Sequence, residues 1–330
     1  MQNLVFSCDW GTSAFRLKLV DHHSKNILGE LNSDQGTAFL FNEWKLHKST
    51  SQKEFYLEKL KTSIARLSAK TGQNSDHVPV VISGMASSSI GLKELTYATL
   101  PFSLDGKNAI VEKITEPSQL RNEIWLISGV RSEHDVMRGE ETQIIGISTL
   151  LHFSQDEVSV CILPGTHSKH IILTKSGIVD FKTFMTGELF DLLRKHSVIS
   201  QSVSIPERDI EYNSDTLTAF KNGIRKSSES NLLHILFSVR TNQLLNDISK
   251  EHNYYFLSGL LIGTELRTLN TYKKIKITLC SGSNVNHLYQ IALQELNLYK
   301  NTFDIPSETM ENAAMLGQIK ILENQRLIKS

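Results

Sequence analysis

At 330 residues the chain is longer than a single hydrophobic core usually grows, so two domains are expected. Its 35 basic residues balance 35 acidic ones and no basic run stands out, which argues against a nucleic-acid partner. No apolar stretch approaches the ~20 residues a membrane-spanning helix needs, and Met1-Gln2-Asn3 carries neither a basic n-region nor a signal-like core, so the sequence reads as cytoplasmic with no membrane partner.

In chain order, residues 4–8 read as a buried strand that ends at the turn Asp9-Trp10-Gly11-Thr12-Ser13. Residues 15–20 form a second strand, and 27–31 a third after a polar turn at 22–26. Phe55, Leu57, Leu60, Ile64 and Leu67 recur at broadly helical spacing over 54–69, and an apolar strand at 78–82 follows. A strand at 124–127 precedes a helical segment from about 136 to 151.

The opening scheme then returns. A strand at 158–163 ends at Pro164-Gly165-Thr166-His167-Ser168, and strands at 170–174 and 178–181 flank the tight turn Lys175-Ser176-Gly177. Helical stretches follow near 215–226 and 231–249, then strands at 254–257 and 275–280, a helix at 288–296 and a final helix at about 309–328. Aligning Gly11 with Gly165 sets Leu17-Lys18-Leu19 opposite Ile171-Ile172-Leu173, so the match extends beyond the turn.

The plan is therefore α/β, with duplicated ribonuclease-H-like domains at 1–151 and 152–330, the final helix being able to cross back to the first. Two such turns facing one another across an interlobe cleft would offer backbone N–H groups and hydroxyls to one polyphosphate. The bland alternative is a pair of ordinary hairpin turns with Asp9 as a turn former. Cys8, Cys161 and Cys280 each lie in an apolar run just before a glycine turn; their odd count and unpaired spacing argue against disulfides and zinc.

Five segments resemble the 2-dehydro-3-deoxygalactonokinase family, sugar-acid kinases of the actin, hexokinase and Hsp70 superfamily. They are Asp9-Trp10-Gly11-Thr12-Ser13, Asp135-Val136-Met137-Arg138-Gly139-Glu140-Glu141-Thr142-Gln143, Leu163-Pro164-Gly165-Thr166-His167-Ser168-Lys169, Phe184-Met185-Thr186-Gly187-Glu188-Leu189-Phe190 and Leu257-Ser258-Gly259-Leu260-Leu261-Ile262-Gly263. The resemblance implies an actin-like ATPase fold and ATP-dependent phosphorylation of 2-dehydro-3-deoxy-D-galactonate at its terminal (6-) hydroxyl. Alternatives are a kinase for a different small acidic sugar or polyol, or a non-catalytic actin-like nucleotide switch. The oligomeric state is open between monomer and homodimer.

Phosphoryl transfer needs the nucleotide's charge neutralised and its phosphates held in line. Gly11 and Gly165 would let the backbone approach the phosphates, and Thr12, Ser13, Thr166 and Ser168 offer hydroxyls. Asp9 would orient Mg2+, Lys169 would add a point charge, and His167 would either donate to phosphate or simply complete the turn. The resemblance also implies that Gly282, with Ser283, passes under the adenosine.

For the general base, glycerol-type relatives carry an aspartate at the second turn, where this chain has Thr166-His167. Hexokinase-like relatives place one at the start of the interlobe helix, which points to Asp135, against a plain helix N-cap reading. Glu140, Glu141 and Glu188 are the alternatives. The family loop Gly-Met-x-Gly-Ser-Arg-Gln-Gly-Trp appears here as Gly84-Met85-Ala86-Ser87-Ser88-Ser89-Ile90-Gly91-Leu92, without its arginine and tryptophan. Met85, Arg16, Arg138 and Glu188 are then the substrate-binding candidates, with Arg131 and Lys93 as further cations for the sugar carboxylate. His170 stands where an aromatic residue is expected.

Overall fold

The computed structural model describes residues 3–48, 50–116, 120–151, 158–206, 213–229, 231–272 and 274–328, and within these the side chains of Ser283 and Asn284 lie outside the described residues. Two compact units emerge. One comprises Met1–Leu151, Thr174–Phe181 and Glu308–Ser330, and the other His152–Leu173 and Lys182–Ser307.

In the first unit, β1 (Leu4–Trp10) pairs antiparallel with β2 (Phe15–Asp21), which pairs antiparallel with β3 (Ile27–Ser33). Helices α1 (Thr37–His47) and α2 (Gln52–Thr71) follow. α2 starts at a capping box, in which Ser51 accepts from the Glu54 amide and Glu54 accepts from that of Ser51. Its Tyr56, Leu57, Leu60, Ile64 and Leu67 are buried against the sheet, as their helical spacing requires.

The chain returns through β4 (Val80–Gly84), parallel to β1, then β5 (Ala98–Thr99), β6 (Val111–Glu116) and β7 (Leu120–Ile127). A small second sheet adds β8 (Val130–Arg131) and β9 (Val136–Met137) to β5, and α3 (Glu140–Ile147) closes this stretch. The main sheet runs β3-β2-β1-β4-β7-β6.

The second unit contains β10 (Val158–Leu163), β11 (Ser168–Thr174) and β12 (Gly177–Phe184), the last two sharing residues 174–181 with the first unit. Then come α4 (Thr186–His196), α5 (Ser214–Lys226), α6 (Leu232–Ile235), α7 (Ser238–Asn246), α8 (Lys250–Arg267), β13 (Ile275–Leu279), α9 (Ser283–Glu295) and β14 (Thr302–Asp304). Its sheet runs β12-β11-β10-β13-β14, with β13 parallel to both neighbours. α10 (Ser307–Asn324) rejoins the first unit, where Gln318 donates to the Cys8 carbonyl and to Ser83. Both sheets thus share a core of an antiparallel meander continued by two parallel strands, the ribonuclease-H-like order, present twice.

Paired glycines bring helices into backbone contact. A Cβ on Gly223 of α5 would lie 2.1 Å from the Phe256 carbonyl oxygen, and one on Gly259 of α8 would lie 2.0 Å from that of Phe220. Gly146 of α3 and Gly317 of α10 repeat this, each 1.9 Å from a carbonyl oxygen of the other helix. The Leu257 to Gly263 segment is therefore part of a buried helix, not the strand expected at 254–257. Its apolar residues lie on every face, which shortens the visible pattern to a strand-like run.

The helix expected from about 136 begins only at Glu140. Gly139 has φ 111°, a left-handed conformation that cannot extend the helix backwards. The stretch at 231–249 divides into α6 and α7, and α1, α4 and β6 were not expected.

Candidate active site

Asp9 sits near the end of β1, opposite Arg16 on β2 and Ser83 on β4. It accepts from Arg16 Nη1 at 2.9 Å. Burial raises its carboxyl above the usual range; Arg16 opposes that shift and the negative charge of Glu140 reinforces it. The turn beyond is closed by Gly11 N–H donating to the Ala14 carbonyl at 2.9 Å. It is fixed from behind by α1, because Thr37 and Ala38 amides donate to the carbonyls of Gly11 and Thr12. Thr12 and Ser13 remain exposed.

Glu140 and Glu141 open α3, where the helix dipole favours negative charge. The Glu140 carboxylate accepts from the Arg138 amide at 3.1 Å. Glu141 points inward, is fully buried and accepts from the Gly139 amide at 2.8 and 2.9 Å. Burial first, then Glu140, pushes Glu141 up to about 8. Gly139 and Gly84 pack together beside Asp9, since a Cβ on Gly84 would stand 2.8 Å from the Trp10 carbonyl and 3.4 Å from Asp9 Oδ1.

Asp135 does not start α3. It lies in the turn between β8 and β9, where its carbonyl accepts from Ser132 N–H, its amide donates to Ser132 Oγ and its carboxylate accepts from the Val136 amide at 2.7 Å. The helix-start argument for this residue therefore fails, because Gly139 takes the N-cap position.

Arg138 is committed to the loop that follows β4. Its guanidinium donates to Tyr97 Oη at 3.1 Å, to the Leu95 carbonyl at 3.0 Å, and to the carbonyl and Oγ of Ser87. It also stacks 4.0 Å from the Tyr97 ring centroid. Met85 opens a 3-10 turn in the same loop and is half-buried. Arg16 is engaged with Asp9, Lys93 with Glu112, and Arg131 is exposed on β8.

The second turn follows β10. Gly165, Thr166 and His167 are exposed, whereas Ser168 and Lys169 are buried. His167 Nε2 lies 2.6 Å from Glu188 Oε2, Lys169 Nζ donates to the His167 carbonyl at 3.0 Å, and the Glu188 amide donates to the Thr166 carbonyl at 3.0 Å. The Ser168 hydroxyl turns inward and donates to Glu265 Oε1 at 2.7 Å. His170 stacks on Phe184, centroids 4.5 Å apart, and its Nε2 lies 3.0 Å from the same Glu265 oxygen. This polar anchorage accounts for the histidine in place of an aromatic residue.

The third turn ends at Gly282, whose extended backbone caps α9. Ser283 is the first residue of that helix, and its side chain lies outside the described residues. Glu265 was absent from the sequence-based site. The available signal was a lone carboxylate on the buried face of an apolar helix.

The chain's glycines divide sharply. At Gly11, Gly165 and Gly282 the backbone is outside the left-handed region, and among the described residues an added Cβ would meet only an ordinary 3.6 Å contact at the first and nothing within 4 Å at the other two. Every other glycine in the chain has a positive φ or would bring a Cβ within 3.4 Å of a neighbour. Neither the protein's packing nor its backbone requires the three turn glycines.

Among the described residues no group of three or more His, Cys, Asp or Glu side chains could hold a metal ion by itself. Asp9 feels the negative charge of Glu140, which leaves two acidic side chains in this part of the first unit. Such a pair fits magnesium, which keeps several waters and takes one or two carboxylates together with substrate phosphates. No helix among the described residues is long and apolar enough to cross a membrane.

A family model for 2-keto-3-deoxy-galactonokinase matches residues 9–319. The chain belongs to that family, a family of carbohydrate kinases. It is 35% identical over 233 residues to the 2-dehydro-3-deoxygalactonokinase of Escherichia coli (strain K12), covering 68% of this chain and 74% of that one. It is also 31% identical over 308 residues to "Probable 2-dehydro-3-deoxygalactonokinase DgoK1" of Rhizobium meliloti (strain 1021), covering 90% of each. A crystal structure from Sinorhizobium meliloti that carries the same family name superposes with a TM-score of 0.75 at 28% identity, covering 96% of this chain and 98% of that one.

Proposed function

We propose that this protein transfers the γ-phosphoryl group of ATP to the terminal (6-) hydroxyl of 2-dehydro-3-deoxy-D-galactonate. The observation that carries the nucleotide part is the set of three glycines, Gly11, Gly165 and Gly282, that the protein itself does not require. A ligand approaching the backbone at each turn supplies the missing reason for glycine. Phosphates suit the first two turns, because the exposed residues Thr12, Ser13 and Thr166 offer hydroxyls to anions, and adenosine is assigned to the third.

Asp9 and Glu140 would hold Mg2+ through its waters, and the ion would neutralise charge on the phosphates. Burial and the proximity of Glu140 hold Asp9 above its ordinary range, a strain that a divalent cation relieves. Lys169, behind the turn, adds positive charge to the phosphate side, and Glu188 orients the His167 ring beside it. Arg138 serves the sugar indirectly by fixing the loop that carries Met85.

In the transfer itself, the new O–P bond forms as the bond to the ADP oxygen breaks, and the hydroxyl proton passes to a carboxylate. Asp135, hydrogen-bonded into the β8–β9 turn three residues before Arg138, and Glu140, near Asp9, are the two candidates for that proton, and substitution of each decides between them. The loop carries Ser89 where the family pattern has arginine, so the identity of the acceptor sugar calls for a direct test. ADP release coupled to a panel of small sugar acids and polyols tests it. The expected result is turnover that depends on 2-dehydro-3-deoxy-D-galactonate; turnover with another acceptor alone would replace the substrate while leaving the kinase.

A further inference from the structure

Among the described residues of the second unit, Glu265 is the carboxylate with the most hydrogen-bond partners. Its side chain is 1% exposed. Oε1 accepts from Ser168 Oγ at 2.7 Å and faces His170 Nε2 at 3.0 Å, while Oε2 accepts from Tyr289 Oη at 2.9 Å and from Thr186 Oγ1. Two donors on each oxygen fill the roughly four lone-pair directions of a carboxylate. Burial, then the Glu265 charge, holds the Tyr289 phenol well above its usual value, so it stays protonated and donating.

The four donors come from three places. Ser168 and His170 belong to the second turn and β11, Thr186 is the first residue of α4, and Tyr289 lies on α9, which follows the Gly282 turn. α4 in turn meets the turn's backbone, since a Cβ on Gly187 would stand 2.6 Å from the Gly165 carbonyl oxygen. The Glu188 side chain completes the contact at His167. A buried charge is a poor way to gain stability, because well-packed apolar groups of similar size usually do as well. A fully satisfied polar network instead fixes one relative arrangement of the elements it joins.

We infer that Glu265 is a positioning residue for nucleotide binding: it sets the second phosphate turn, the start of α4 and the adenosine-side helix α9 in one fixed geometry. The inference rests on the nucleotide reading of those turns and adds to it a residue that touches no ligand.

Glu265→Gln keeps the side chain's size but leaves a single acceptor oxygen, so two of the four donors must face an N–H group or turn away. ADP binding to the full-length protein, measured by titration calorimetry, should weaken by about tenfold or more, the scale of a lost hydrogen bond to a charged group. The KM for ATP should rise in parallel while the KM for the sugar acid stays within about twofold. A folded Glu265→Gln that binds ADP like the parent and only melts earlier would overturn the inference and leave Glu265 a stability element. Where circular dichroism shows that Glu265→Gln does not fold, Thr186→Val and Tyr289→Phe each remove one donor. Weaker ADP binding in either supports the inference, and unchanged binding in both overturns it. A parent protein that fails to bind ADP at all would contradict the nucleotide reading itself, and this inference with it.

Discussion

Gly187 stands against the carbonyl oxygen of Gly165, where an added Cβ would come within 2.6 Å, whereas a Cβ on Gly165 itself would meet nothing within 4 Å. The two glycines, side by side, therefore answer to different constraints: packing requires Gly187, whereas nothing described in the protein requires Gly165, which the proposed function gives to a phosphate. Gly165→Val should leave the melting temperature near that of the parent and weaken ATP binding by at least about tenfold, a loss of ~1.4 kcal/mol. Gly187→Val should lower the melting temperature, because backbone atoms cannot yield to the side chain. Thermal melts and ADP titration on both variants separate the two cases, and equal ADP affinity in a folded Gly165→Val would remove phosphate from the second turn.

Asp9 is expected to cost stability while serving the reaction. Burial raises its folded-state pKa above the unfolded value, so the folded protein binds the proton more tightly, and stability falls as pH rises from the unfolded to the folded pKa. Asp9→Asn removes that cost, and at neutral pH its melting temperature should equal or exceed the parent's. Transfer should nevertheless collapse, because the charge aimed at magnesium is gone. Near-parental turnover with the same magnesium dependence would take Asp9 out of the metal site.

Glu141 carries the same sign over a wider window. Its carboxyl is pushed from 4.5 to about 8 by burial and by Glu140, so stability should decline as pH climbs between those values and level off above. Glu141→Gln should flatten that decline. Melting temperatures collected from pH 5 to 9 check this, and an unchanged slope in the variant would show that other groups produce it.

Asp135→Asn tests the proton acceptor. A general base should lose roughly 10²–10⁴-fold in kcat with little change in the KM for ATP. Asparagine can still accept the Val136 amide bond, so the β8–β9 turn should survive. Near-parental turnover would take Asp135 out of the proton step, and collapse in Glu140→Gln with an unchanged magnesium dependence would move the proton to Glu140.

Much of the architecture was legible because it depends on local patterns. The turn Asp9-Trp10-Gly11-Thr12 and its counterpart at Gly165 follow apolar strands and mark both meanders, and the spacing of Leu57, Leu60, Ile64 and Leu67 fits the buried face of α2, although Tyr56 rather than the expected Phe55 is the aromatic residue buried there. Where local pattern and tertiary context conflict, the reading failed. Tyr254-Tyr255-Phe256-Leu257 has strand-like composition, yet Gly223 and Gly259 admit a helix crossing that buries Tyr255, Phe256 and Leu257 within α8. The start of α3 was misplaced because the left-handed backbone of Gly139 is invisible in the residue type. Glu265 escaped notice for a third reason: its partners Ser168 and His170 lie 97 and 95 positions away, a separation at which nothing in one sequence marks a pair.

The most direct test is product analysis by phosphorus–proton NMR after incubating the parent protein with ATP, Mg2+ and 2-dehydro-3-deoxy-D-galactonate. The expected product is ADP with one sugar phosphate whose phosphorus couples to the two protons on carbon 6. ATP left intact, ATP hydrolysed to free phosphate without any sugar phosphate, or phosphate on a different carbon would contradict the proposed transfer.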